Sequence, residues 1–303
     1  MEKNIVRRIL RQTPLVLALS SLLSIPVFAH PGSGIAVDRL GQVFFLDTGS
    51  GLWRIDSRGN LTHLSKTLFH WLAIDGNDCF ARSPLPSGAL GDILSVGTNP
   101  TLLLSSDYPI AVGQDGNLYY PSRGARGEMR IMRLIPSGET SVLTTLPATT
   151  SGPLLHINGL AVGPDNSLYY TDNSAIRRIS AQGRVSTVAM IRALDVGPSI
   201  PGTNQHPYLR GLAVDASGVM YVADSGDARV MKIAPDGKVT TLLQLRSPWS
   251  PTGIALFGSD VYVLEFLHTA RDVRRDWMPR VRKISSDGKS SIIATIDQMP
   301  GAR

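Results

Sequence analysis

An apolar triplet recurs six times along this 303-residue chain, and that recurrence constrains the fold more than any other feature. The triplets begin at Ile35, Leu72, Ile110, Leu160, Leu212 and Ile254, with successive spacings of 37, 38, 50, 52 and 42 residues. Self-similarity at a period of this length marks a repeat architecture in which each unit buries its faces against its neighbours. The units span Gly34–Leu64, Trp71–Leu104, Pro109–Leu146, Gly159–Met190, Gly211–Leu243 and Gly253–Ile296. Each holds four short apolar runs, A to D, separated by turn residues. Strand A is wholly apolar (Ile-Ala-Val, Leu-Ala-Val), as suits an innermost strand packed on both faces, and strand B is aromatic and β-branched (Tyr221-Val222, Tyr262-Val263). Ser137-Gly138, Asp236-Gly237 and Asp287-Gly288 supply the positive-φ residue that a tight C–D hairpin needs. The expected fold is all-β: a six-bladed β-propeller of four-stranded antiparallel blades around a central channel. A solenoid is the rival, and units this long without helical periodicity favour the closed ring.

The N-terminus reads as a targeting segment. Lys3, Arg7, Arg8 and Arg11 form a basic region, Pro14–Ile25 an apolar one, and Val27-Phe28-Ala29 a small-residue cleavage site. The expected organisation is a signal peptide over 1–29 and a single propeller over 30–303, periplasmic or secreted, with no stable membrane anchor after cleavage. The leader holds four basic residues and one acidic one, so its removal lowers the net charge from +6 to about +3. No basic stripe with interleaved aromatics remains, which excludes nucleic acid as the expected partner. Cys79 is the single cysteine, so no internal disulfide can form.

The fifth unit, YVADSGDARVMKIAPDGKVTTL, resembles an NHL repeat, and the fourth, INGLAVGPDNSLYYTDN, is similar to the senescence-marker/gluconolactonase superfamily of propellers. The resemblance covers the whole mature chain. It speaks for fold more than for activity, because one propeller scaffold hosts many functions.

In a propeller, A–B and C–D turns share one rim, while D–A and B–C connections share the other. Every long insertion falls in the second class: Ser83–Gly91, Ser122–Glu128, Pro147–His156, Ile191–Arg210 and Glu265–Arg280. Insertions confined to one face mark a binding face. The residues that precede each strand A lie at the channel mouth on that rim. They are Ser33, His70, Tyr108, Asn158, Arg210 and Thr252, all with polar tips, and form the candidate ligand site. His30, His70, His156, His206 and His268 fall on the same rim, and only His63, on a D strand, does not.

The gluconolactonase resemblance implies a divalent cation at the mouth, held by carboxylates and asparagines, and Asn158 matches the asparagine position. Ser33 stands where the family carries a glutamate and Arg210 where it carries an aspartate. A hydroxyl and a guanidinium are poor ligands for a hard cation. Arg210 points instead to an anion, bound bidentately. The cofactor is left open: a divalent metal, calcium or zinc, would use Asn158, His70 and His156. The aspartates that end strand B (Asp47, Asp172, Asp224, with Glu265 in the last unit) recur at one repeat position and so read as structural acceptors for the following turn. Arg130, Arg229 and Arg280 are their expected partners, and Arg54, Arg133, Arg178, Lys232 and Lys283 form an expected solvated row. The leading reading is a propeller that binds a small polar, anionic or peptide-like ligand on the inserted rim. A metal-dependent lactonase, hydrolase or amidating-lyase-like enzyme, and a protein-interaction scaffold anchored by Trp249 and Trp277, are the alternatives.

Overall fold

In the computed structural model, the described residues are 31–66, 68–81, 93–96, 99–106, 108–146, 157–172, 174–194, 207–267 and 278–296. The leader, His30, His156, His206, His268, Trp277 and the insertions Ser83–Gly91 and Pro147–His156 lie outside them, as does the middle of the last two insertions.

The architecture is an all-β propeller of four-stranded antiparallel blades. The first sheet holds β1 (Ile35–Val37), β2 (Val43–Asp47), β3 (Gly51–Ile55) and β4 (Leu61–Ser65). The third holds β8 (Ala111–Val112), β9 (Leu118–Arg123), β10 (Met129–Leu134) and β11 (Thr140–Thr145). The fourth holds β12 (Ile157–Val162), β13 (Leu168–Asp172), β14 (Ala175–Ile179) and β15 (Val185–Met190). The fifth holds β16 (Leu209–Val214), β17 (Met220–Asp224), β18 (Arg229–Ile233) and β19 (Val239–Gln244). The last holds β20 (Trp249–Phe257), β21 (Asp260–Leu267), β22 (Pro279–Ile284) and β23 (Ser290–Thr295). In all five the sequence order is also the spatial order.

The second unit departs from expectation, so five blades, not six, are four-stranded. Its sheet has three strands among the described residues, ordered β5 (Trp71–Asp75), β7 (Thr101–Ser105), β6 (Ile93–Val96). The run Thr101–Ser105, expected as the outer D strand, lies directly beside β5, with Trp71 opposite Ser105 and Asp75 opposite Thr101. All five of its residues are buried, as an interior strand requires and an edge strand does not. The segment expected as strand B, around Cys79-Phe80, is a turn. Asp75 caps it by accepting from Phe80 N at 2.6 Å, and Asp78 adopts φ 52°.

Inner strand packs on inner strand in the order β1, β5, β8, β12, β16, β20, and β20 packs back on β1. Between neighbouring sheets lie apolar seams, such as Tyr169, Ile176, Leu209, Val222 and Met231 between the fourth and fifth. Outside the second sheet, the A–B and C–D turns repeat one five-residue design, except that β20 and β21 are joined by the shorter turn Gly258-Ser259. At Asp56–Asn60, for example, Asp56 N donates to Asn60 O and Gly59 N to Asp56 O, with Gly59 at φ 85°. The Asp56 carboxylate accepts from the backbone amides of Arg58 and Asn60. The second unit breaks the expected rim assignment: Ser83–Gly91, expected as a B–C connection, falls between β5 and β6, because the strand paired with β5 is β7 and comes later in the chain.

The cation row is not merely solvated. Arg54, Arg133, Arg178, Lys232 and Lys283 stand in register with the strand-B aromatics Phe44, Tyr119, Tyr169, Tyr221 and Tyr262. Lys283 Nζ lies 5.7 Å from the Tyr262 ring centroid and 2.7 Å from the Asp260 carboxylate, so cation, ring and turn aspartate form one stack.

Candidate ligand-binding mouth

The glycine before the apolar triplet sets the geometry of the mouth. A Cβ on Gly211 would sit 2.6 Å from Gly253 Cα, and one on Gly159 would sit 2.3 Å from the Arg210 carbonyl oxygen. Gly253 faces the Ser33 carbonyl at 2.4 Å in the same way. Inner strands therefore approach backbone to backbone at this level, and the residue expected at the mouth comes just before each glycine. The signal was present in the sequence as Gly34, Gly159, Gly211 and Gly253. The second and third units carry Trp71 and Pro109 there instead.

Trp71 is the residue that sequence reasoning missed. Its indole N–H donates to the Asn158 carbonyl at 3.2 Å, from the second sheet to the fourth, past the third. Arg210 makes the matching reach: its guanidinium donates to the Pro31 carbonyl, from the fifth sheet to the entry of the first. Each of these two side chains thus skips a blade.

The six predicted residues fall into two groups. Ser33, Arg210 and Thr252 are buried, while His70, Tyr108 and Asn158 are half-buried. Ser33 N and Gly34 N both donate to the His70 carbonyl, which ties the first inner strand to the second, while the Ser33 hydroxyl has no partner among the described residues. His70 Nδ1 lies 2.7 Å from the Ser106 carbonyl, and because a carbonyl only accepts, Nδ1 is the donor. Asn158 Nδ2 donates to the Leu209 carbonyl at 3.1 Å. Tyr108 N donates to Ser105 Oγ at 3.4 Å, and Thr252 Oγ1 to the Leu264 carbonyl at 3.4 Å. Arg210 also serves through its backbone, accepting from Thr171 Oγ1 at 3.0 Å. Burial pushes the Arg210 guanidinium below its ordinary value, opposed by Tyr208, whose ring centroid lies 6.0 Å from Cζ.

The donor set described at the mouth does not fit the cation that the resemblance implied. Where carboxylates would stand there are a hydroxyl and a positive charge. The Asn158 amide nitrogen is held by a backbone carbonyl, and among the described residues no three His, Cys, Asp or Glu side chains converge on one point. His156, the third candidate, lies outside the described residues.

The carboxylates that end strand B are structural, as their recurrence indicated. Asp47 accepts from Gly49 N at 3.1 Å and from the Ser50 hydroxyl. Asp172 accepts from Arg177 Nε at 3.1 Å, and Asp224 from Arg229 Nε at 2.9 Å and Tyr208 N at 3.0 Å. Glu265 accepts from Arg280 and Arg282 together. Arg130 is the exception: the third sheet has Ser122 opposite it, and it pairs with Glu128 in the adjoining turn instead.

The profile of the SMP-30/gluconolactonase/LRE-like region matches residues 111–266, more than half of the chain. The protein belongs to the SMP-30/gluconolactonase/LRE-like family. A 6-deoxy-6-sulfogluconolactonase of Pseudomonas putida is 30% identical over 129 residues, 41% of each chain. The match thus spans about two fifths of that relative's length. Among solved structures, the calcium-binding protein regucalcin from Agrobacterium tumefaciens has a TM-score of 0.50 at 15% identity, covering 77% of this chain and 81% of that one. A luciferin-regenerating enzyme gives 0.50 at 16%, covering 77% and 83%. At such identities these two members of the comparison establish shared fold alone. Within the family match, Asn158 and Arg210 both lie inside residues 111–266, so this member carries a guanidinium inside its most family-like stretch.

Proposed function

We propose that this protein is an exported six-bladed propeller, with the Trp71–Ser105 sheet as its sixth blade and NHL-type repeats. At the D–A/B–C mouth it binds a small polar ligand that carries an anionic group. The observation that carries this reading is Arg210, a buried guanidinium in the ring of polar residues at the mouth. A guanidinium keeps its charge at any ordinary pH and presents a fork that matches a carboxylate or sulfonate bidentately, so Arg210 sets the sign of the ligand. The Ser33 hydroxyl, buried without a partner among the described residues, supplies a second polar group for the same ligand. The leader supports export to the periplasm or the exterior. The relative's sulfogluconolactone makes an anionic sugar derivative the first class to try.

A second reading, hydrolysis of a sugar lactone, is favoured by family membership and by that relative. It would use His70 as its base. The two readings separate in one experiment. The purified mature protein is assayed for divalent metal and for lactone hydrolysis, and its thermal stabilisation by gluconate is compared with that by glucose. The binding reading expects stabilisation by gluconate alone, reduced in Arg210→Ala but not in Arg280→Lys, and no turnover. Turnover with a stoichiometric metal, lost on His70→Ala, would establish the second reading instead.

A further inference from the structure

The last sheet stands taller than its neighbours on the inserted rim. β20 has nine residues where β12 and β16 have six, and β21 has eight where β13 and β17 have five. The extra length forms a lip, with Trp249 opposite Leu267 and Pro251 opposite Glu265. Period-two alternation places Trp249, Glu265, Arg280 and Arg282 on one face of this sheet, the face whose Val261 and Val263 pack on the fifth sheet.

On that face the charges do not balance. Glu265 is fully buried and accepts from Nε of both Arg280 and Arg282, so one carboxylate serves two guanidiniums. Among the described residues, neighbouring acids do not supply the difference. The adjoining turn of the fifth sheet touches the lip through Ser225 Oγ and the Pro251 carbonyl, but its Asp224 and Asp227 pair with Arg229. Arg282 extends Nη1 to Ser290 Oγ at 3.3 Å. Arg280 instead lies flat over Trp249, its Cζ 3.6 Å from the ring centroid, with 16% of its side chain exposed. One face and the Nε edge of this guanidinium are thus committed, and the plane is held rigid from both directions. Burial, and the like charge of Arg282, also disfavour the charged state of Arg280, a penalty that a second anion would relieve.

We infer that the Trp249–Arg280 stack is a ligand subsite separate from the mouth, which takes a compact oxyanion (a carboxylate, sulfonate or phosphate) edge-on against the guanidinium. The indole fixes the plane of the fork, Glu265 fixes its rotation, and the surplus positive charge selects the sign of the ligand. Neither the mouth reading nor any activity is needed for this site to operate.

The test is a titration of the mature protein with sulfate, and separately with succinate, at constant ionic strength against chloride. Tryptophan fluorescence and Tm are the readouts. A saturable fluorescence change and a rise in Tm are expected in the wild type and in Arg210→Gln. Arg280→Lys should weaken the affinity about tenfold, because an ammonium cannot offer the paired donors of the fork. Trp249→Phe leaves both arginines and Glu265 in place; it should lose the fluorescence change and keep the Tm rise, and it answers the question even if Arg280→Lys misfolds. A response that never saturates, or equal affinity in Arg280→Lys, overturns the site. Loss of the response in Arg210→Gln would assign the anion to the mouth instead.

Discussion

Trp71 and Asn158 are 87 positions apart and joined by one hydrogen bond, from the indole N–H of the second sheet to the backbone carbonyl of the fourth, at 3.2 Å. The bond passes over the third sheet, whose position-equivalent residue is Pro109. The wide side chain at Trp71 replaces a glycine of the other repeats and so occupies the mouth where they leave backbone.

Trp71→Phe removes the donor and keeps an aromatic ring. The loss should be about 1 kcal/mol in urea unfolding, the net worth of one hydrogen bond. Trp71→Ala also empties the ring volume and should cost about 3 to 5 kcal/mol. Equal effects from the two substitutions would show that the indole N–H contributes nothing.

Gly211→Ala should be among the most damaging small substitutions in the chain. Its Cβ would meet the Gly253 backbone at 2.6 Å, and backbone cannot move aside as a side chain does. A cost of about 2 kcal/mol or more is expected. Gly138→Ala, at φ 93° with open space around it, should cost about 1 kcal/mol through backbone strain alone. Comparing their urea midpoints checks the order.

Asp224 sets a pH dependence. Burial lifts its carboxyl above the usual carboxylate range, and Asp227 adds to the rise against the pull of Arg229. A group whose folded pKa is raised contributes stability that is complete below its unfolded value, about 4, and is lost as pH climbs through the folded value. The stability difference between the wild type and Asp224→Asn should therefore shift against the wild type as pH rises above about 4. A difference that moves the other way would mean that Arg229 dominates and the carboxyl is depressed. Denaturant unfolding at a series of pH values decides it.

The repeats were legible because strand A must be apolar on both faces and every turn needs a positive-φ residue, and both requirements are written into residue type. The second sheet was not legible. Thr101–Ser105 and an outer strand look alike as a short apolar run, and only its burial on both sides shows that it pairs with β5. The six mouth positions followed from the triplet register, but their partners did not. Asn158 turns its amide to Leu209, and Arg210 reaches to Pro31, because the glycines draw the inner strands within backbone contact. That closeness is a property of the ring rather than of any one repeat. The pairing of Glu265 with two arginines was likewise half visible: Arg280 shares the repeat position of Arg229, while Arg282 lies on strand C with nothing in its spacing to single it out.

The central claim, that Arg210 makes the mouth an anion-recognising site, is tested most directly by isothermal titration of the mature protein with gluconate and with glucose, in the wild type and in Arg210→Gln. Saturable heat with gluconate in the wild type, none with glucose, and loss in Arg210→Gln of gluconate binding that Arg280→Lys retains is the predicted result. Equal binding of gluconate by the wild type and Arg210→Gln, or equal binding of the charged and neutral sugars by the wild type, would contradict it.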